Sequence, residues 1–96
     1  MKIGVPRERI EGERRVSLVP KIVKELIGKD HSVLVESGAG EAAGFSDSDY
    51  EDAGASIAKD AGAVFAESDS LIKCNIFTDD ELDLLDENQV LIGTLS

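Results

Sequence analysis

Cysteine is almost missing from this chain of 96 residues: Cys74 is the only one. No intramolecular disulfide can form, which points to a reducing compartment. No histidine clusters with Cys74, so metal binding is not expected there, and in a strand it reads as a small buried apolar residue. Histidine also occurs once, at His31, where a turn or surface role is expected rather than catalysis. No apolar run approaches the ~20 residues of a membrane span, and the start at Met1 is too briefly apolar for a signal peptide. Basic side chains are outnumbered, ten Lys and Arg against twenty Asp and Glu, and the formal net charge of −10 argues against nucleic acid or an anionic membrane as partner. The segment is therefore expected to be soluble and cytoplasmic. Aromatic residues are limited to Phe45, Tyr50, Phe65 and Phe77, so the core must be built from Val, Ile, Leu and Ala.

What remains is an ordinary globular balance, with 42% hydrophobic and 31% charged residues, and the length suits one small domain. A chain of this size buries roughly 60–65% of its unfolded surface. Lys2 to Val5 reads as a strand stopped by Pro6. Arg7 to Arg15 is a charged connection. Val19, Ile22, Val23, Leu26 and Ile27 then recur at helical spacing, with Pro20 suited to the first turn and Asp30 to a left-handed closure. Ser32 to Glu36 carries the continuous apolar run of a strand covered on both faces. Ser46 and Asp49 form a capping-box pattern flanked by Phe45 and Tyr50 at the staple positions, ahead of a helix ending near Gly54. Ala55 to Ala58, Leu71 to Ile76 and Val90 to Leu95 read as further strands. Between them lie helices over Asp60 to Glu67 and from Thr78 through Leu82, Leu84 and Leu85. Strand and helix alternate, which predicts an α/β domain with a mainly parallel sheet and flanking helices, layered in a Rossmann-like way. The chain ends in or just after a strand with no helix to cover it, so the layered domain is expected to be incomplete.

Gly38-Ala39-Gly40-Glu41-Ala42-Ala43 matches the dinucleotide fingerprint and follows a strand, with Asp60 about twenty residues on. The fingerprint works only if its glycines lead straight into a helix facing the pyrophosphate. Here the helix start is marked later, at Ser46, and Glu41 would set a negative charge beside phosphates. A compact turn is the expectation. Arg14 and Arg15 stand in a charged loop, where arginines are usually solvated although the guanidinium fork suits a carboxylate. Lys73 is expected at the exposed end of a strand, either as plain surface or as a group that polarises a carbonyl beside a cleft. Asp79, Asp80 and Glu81 follow Thr78 at a helix start, where negative charge stabilises the helix dipole; no metal site is needed to explain them.

Gly4-Val5-Pro6-Arg7-Glu8, then Glu13-Arg14-Arg15-Val16-Ser17-Leu18-Val19-Pro20, then Val35 to Phe45, form an ordered set. It resembles the amino-terminal domain shared by alanine dehydrogenase and the alpha subunit of proton-translocating NAD(P) transhydrogenase. The resemblance implies that a later domain, absent from residues 1–96, holds the nicotinamide nucleotide. It implies substrate-binding roles for Arg15, at the position that contacts the substrate carboxylate in alanine dehydrogenases, and for Lys73. It assigns no catalytic, cofactor-binding or metal-binding residue to the chain. Lys73-Cys74-Asn75 is nearer the transhydrogenase form, and Ser96 falls where alanine dehydrogenases carry a histidine.

The implied function is reversible hydride transfer between NAD(H) and NADP(H), coupled to proton translocation. NAD and NADP would serve the full enzyme and neither would be bound by this chain alone, which is expected to be inactive. Its partners would be the remaining domains and subunits and further copies in a homo-oligomer, on the cytoplasmic face of a membrane complex. An alanine dehydrogenase and a stand-alone, non-catalytic interaction module are the alternatives.

Overall fold

Parallel pairing organises the chain from its first residues. In the computed structural model, which describes residues 1–93, β1 (Lys2–Val5) lies between β2 (Ser32–Glu36) and β4 (Ser70–Lys73). β3 (Ser56–Ala58) extends the sheet beyond β2, and β5 (Val90–Gly93) extends it beyond β4. The order is β3-β2-β1-β4-β5 with every neighbouring pair parallel, so the α/β, mainly parallel expectation holds. The chain starts at the centre, steps outward through β2 and β3, then crosses back to β4. The strand order reverses between β1 and β4. That reversal leaves a crevice at the carboxyl ends of the two strands, the place where doubly wound sheets bind ligands.

The three-residue apolar run of β2 serves both faces. Val33 and Val35 pack with Val23 of α1 (Pro20–Ile27) and Tyr50 of α2 (Asp47–Asp52). Leu34 points the other way, to Val64 and Phe65 of α3 (Ala61–Glu67) and to Leu71. Alternate side chains of a strand face opposite sides, so covering both faces requires the apolar run Val33, Leu34 and Val35 at the middle of β2.

Local signals place the helix ends. Pro20 opens α1, and Asp30 at φ 68° closes the turn after it, as expected. Ser46 and Asp49 make both bonds of the capping box, at 3.2 and 2.9 Å. Phe45 and Tyr50 meet edge to face with ring centres 6.4 Å apart. Tyr50 is fully buried and its hydroxyl donates to the Leu18 carbonyl at 2.9 Å. Burial pushes that phenol up to about 12, so it stays a donor at any working pH.

Three boundaries differ from expectation. The loop after β2 contains a 3₁₀ turn, Glu41–Ala43, closed by Gly44 at φ 93°. β4 ends at Lys73 rather than Ile76, because Glu8 takes the Cys74 and Asn75 amides that would have continued a ladder. The helix after Thr78 is a single turn, α4 (Asp79–Leu82), so Leu84 and Leu85 lie beyond it. Leu84 is exposed and Leu85 packs on the α3 side. Of the last strand, residues 94–96 lie outside the described residues, and so does the expectation placed on Ser96.

Gly4 marks the closest approach between sheet and helix layer. A Cβ there would run into Ser68 Oγ and lie 2.8 Å from Leu71 Cδ2. Gly4→Ala should therefore lower unfolding free energy by about 1–3 kcal/mol through overpacking. Urea denaturation checks this; an unchanged midpoint would show that the layer spacing is looser than the structure has it.

Candidate functional site

The connection from β1 to α1, residues 6–19, crosses the carboxyl ends of the central strands and is tied down on both sides. At the end of β2 the carboxylate of Glu36, 5% exposed, accepts the Arg7 amide at 2.9 Å. Its two oxygens also accept Arg9 Nη2, both at 2.9 Å. A buried carboxylate persists only when charge and hydrogen bonds compensate its lost hydration, and here both are supplied. At the end of β4, Glu8 accepts from the Cys74 amide at 2.8 Å, the Asn75 amide at 3.2 Å and Asn75 Nδ2 at 3.4 Å. Ser17 Oγ donates to the Ile72 carbonyl at 2.8 Å.

Under this connection lies a cleft of about 270 Å³ lined by Arg7, Glu8, Glu13, Arg15, Gly38, Ala39, Glu41 and Ala42. It sits over the ends of β1 and β2 beside the switch point. Arg15 is on its wall. The Glu13 carboxylate takes Arg15 Nε at 2.9 Å, Nη2 at 2.7 Å and the Arg15 amide at 2.9 Å. Asn75 Nδ2 adds a fourth donor to Glu13 at 2.7 Å. The Arg15 side-chain bonds, then its amide, then Asn75 hold the Glu13 carboxyl well below the usual carboxylate range, and Glu13 in turn raises Arg15. Both groups stay charged.

Lys73 is not where it was expected. It is fully buried rather than at an exposed strand end, and it is not on the cleft wall. Its Nζ lies 2.6 Å from Glu81 Oε1, 3.4 Å from the Ile76 carbonyl and 5.3 Å from the centre of the Phe77 ring. The turn after β4 and α4 fold back over the strand end and seal the ammonium in. A sealed ammonium needs a counter-ion. Glu81, 2% exposed, supplies it while its Oε1 also accepts the Thr78 amide at 2.8 Å. The helix-start reading of the acidic cluster thus holds for exposed Asp79 and Asp80, but Glu81 has this further task.

The Gly38 turn has the geometry of a compact strand-to-helix connection. Gly38 sits at φ 83°, its amide donates to Asp47 Oδ1 at 2.9 Å, and Ser37 Oγ donates to Asp47 Oδ2 at 2.6 Å. These bonds hold the Asp47 carboxyl below its ordinary value. The Gly38 amide is committed to Asp47, and Glu41 presents a carboxylate to the cleft. Among the described residues, no group of three or more His, Cys, Asp or Glu is arranged to hold a metal ion, and no helix is long and apolar enough to cross a membrane.

Sequence reasoning passed over Glu8, Glu13 and Glu36, whose partners come from distant strands. Glu36 had one legible signal, a charge at the end of a strand otherwise buried on both faces. Asn75 was noticed only as a mark of the family and not as a donor.

The parallel order and the polar cleft at its switch point define a doubly wound α/β domain. Residues 4–96 match the sequence profile of the alanine dehydrogenase/PNT N-terminal domain, and the chain belongs to that family. It is 40% identical over 95 residues to alanine dehydrogenase of Halomonas elongata, and 40% identical over 93 residues to NAD(P) transhydrogenase subunit alpha of Cereibacter sphaeroides. These alignments cover 99% and 97% of this chain but only 26% and 18% of the relatives, so the chain spans about a quarter or less of their length. The structure of an L-alanine dehydrogenase superposes with a TM-score of 0.93 at 37% identity, covering 99% of this chain and 26% of that one. A transhydrogenase from Sinorhizobium meliloti gives 0.90 at 27% identity, covering 97% and 27%. In sequence the two branches stand even, at 40% identity to a relative from each.

Removing one member of the Lys73–Glu81 pair should strand the other in the core. Lys73→Met is expected to cost about 3–5 kcal/mol, and the double variant Lys73→Met/Glu81→Leu to recover most of it. Equilibrium denaturation of the three proteins decides; a near-neutral single variant would contradict the sealed pair.

Proposed function

We propose that this chain is the amino-terminal segment of an NAD(P) transhydrogenase subunit alpha, whose full assembly passes hydride between NAD(H) and NADP(H) and couples it to proton translocation. Sequence similarity to the two branches is even. The observation that carries the choice is the charge state of the cleft. Its wall sets two guanidiniums, Arg7 and Arg15, against three carboxylates, Glu8, Glu13 and Glu41. Arg15 is engaged by Glu13, and Lys73 is sealed with Glu81 away from the wall. A small oxo-acid entering such a site meets net negative charge and a guanidinium already satisfied, which disfavours it. Lys73-Cys74-Asn75 supports the same branch. In this reading Arg15 and Lys73 are structural residues of an inherited pocket. NAD(H) is bound by a later domain and NADP(H) by a partner subunit, on the cytoplasmic side. The nucleotide-binding domain lies outside residues 1–96, and the chain alone transfers no hydride.

The second reading, an amino-acid dehydrogenase acting on alanine, has one observation in its favour: the Arg15 guanidinium does line a cleft of small-molecule size. There Arg15 would grip the oxo-acid carboxylate after Glu13 gives way, and Lys73 would have to leave Glu81. Two assays separate the readings. The full-length protein with its partner subunit should move hydride from NADPH to an NAD analogue, and should not reduce NAD with L-alanine. Alanine-dependent NAD reduction without transhydrogenation would overturn the proposal in favour of the second reading.

A further inference from the structure

The Arg15–Glu13 pair is not isolated, because a third residue from another element holds it. The Asn75 side-chain amide stands between two carboxylates of the connection, 2.7 Å from Glu13 Oε1 and 3.4 Å from Glu8 Oε1. Carboxylates are acceptors only, so it is the amide nitrogen with its two donors that faces them. Asn75 is itself fixed to the end of β4, since its backbone amide donates to Glu8 at 3.2 Å. Glu13 then presents both oxygens to the guanidinium, Oε2 to Nε and Oε1 to Nη2. One contact in this relay joins groups 62 residues apart in sequence, and the other joins groups two apart.

From this we infer that Asn75 is a positioning residue: through Glu13 it sets the orientation of the Arg15 guanidinium on the cleft wall, so that the end of β4 and the cleft cation move as one unit. The role follows from degrees of freedom. The Glu13 side chain is only 9% exposed and is gripped from outside the connection by the Asn75 amide, so Glu13 meets the half-exposed Arg15 side chain from a fixed place. A neutral donor that bridges two like charges also lets Glu8 and Glu13 approach the same strand end without repelling each other. The inference depends on reading this cleft as the domain's functional site only for its importance to ligands; the orientation of Arg15 is measurable without any ligand.

The test is the reactivity of Arg15 with phenylglyoxal, read by peptide mass spectrometry, with exposed Arg14 as reference in the same molecule. In the wild-type chain Arg15 should react more slowly than Arg14. Asn75→Ala should speed Arg15 about fivefold, the shift produced by losing one hydrogen bond of ordinary strength, with Arg14 unchanged. Glu13→Gln should speed it as well. If Glu13→Gln releases Arg15 and Asn75→Ala does not, the relay is overturned; if neither does, the clamp itself is overturned. Should Asn75→Ala fail to fold, the wild-type Arg15 Nε–H signal decides. A shifted, slowly exchanging resonance is expected, and one averaged with the other arginines contradicts the proposal. Failure of the functional reading would show instead in the hydride-transfer assays and would leave these measurements untouched.

Discussion

Glu36 ends β2 as a buried carboxylate just after an apolar run, and the shape of the whole cleft side depends on how that charge is met. The amide of Arg7 and the guanidinium of Arg9 supply the compensation. Both come from the connection that leaves β1. That connection is therefore drawn over the carboxyl ends of the sheet rather than out into solvent. Once it lies there, Glu8 reaches the ends of β4 at Cys74 and Asn75, Ser17 reaches Ile72, and Glu13 reaches Asn75. Remove the charge at the end of β2 and the connection keeps only its ties to the end of β4, through Glu8, Glu13 and Ser17.

The same logic explains why an acidic protein builds a cleft with so few uncommitted cations. Three of the cations near the switch point have a carboxylate assigned to them: Arg9 to Glu36, Arg15 to Glu13, Lys73 to Glu81. The pairs differ in kind. Arg15 is half exposed, so water screens one end of its pair with the more enclosed Glu13. Lys73 and Glu81 are sealed, so the pair is nearly neutral when whole and costly when broken. One site shapes a wall; the other locks the turn after β4 and α4 onto the sheet.

Much of this was legible in the sequence. The capping box at Ser46, the helix start at Thr78, Pro20 at a helix start, Asp30 at a helix end and the continuous apolar run of β2 each encode local structure, and each fell where expected. The dinucleotide-like glycines could be read as a turn because the true helix start announced itself at Ser46. Lys73 could not be placed, because its burial is decided by Glu81 folding back from eight residues downstream, a tertiary event that no spacing records. Glu8, Glu13 and Asn75 were missed for the same reason: charge in a loop reads as solvated until a distant strand end offers a donor. The end of β4 shifted because a side chain captured amides that a ladder would otherwise have used.

The central claim is that carboxylates of the β1–α1 connection hold the ends of the central strands and so build the cleft. Residue-resolved amide hydrogen exchange tests it most directly. The Cys74 and Asn75 amides should be protected in the wild-type chain. In Glu8→Ala they should exchange at nearly the rate of an unstructured peptide, while Val33 and Val35 in β2 stay protected. Unprotected Cys74 and Asn75 amides in the wild-type chain, or protection unchanged by Glu8→Ala, would contradict the account.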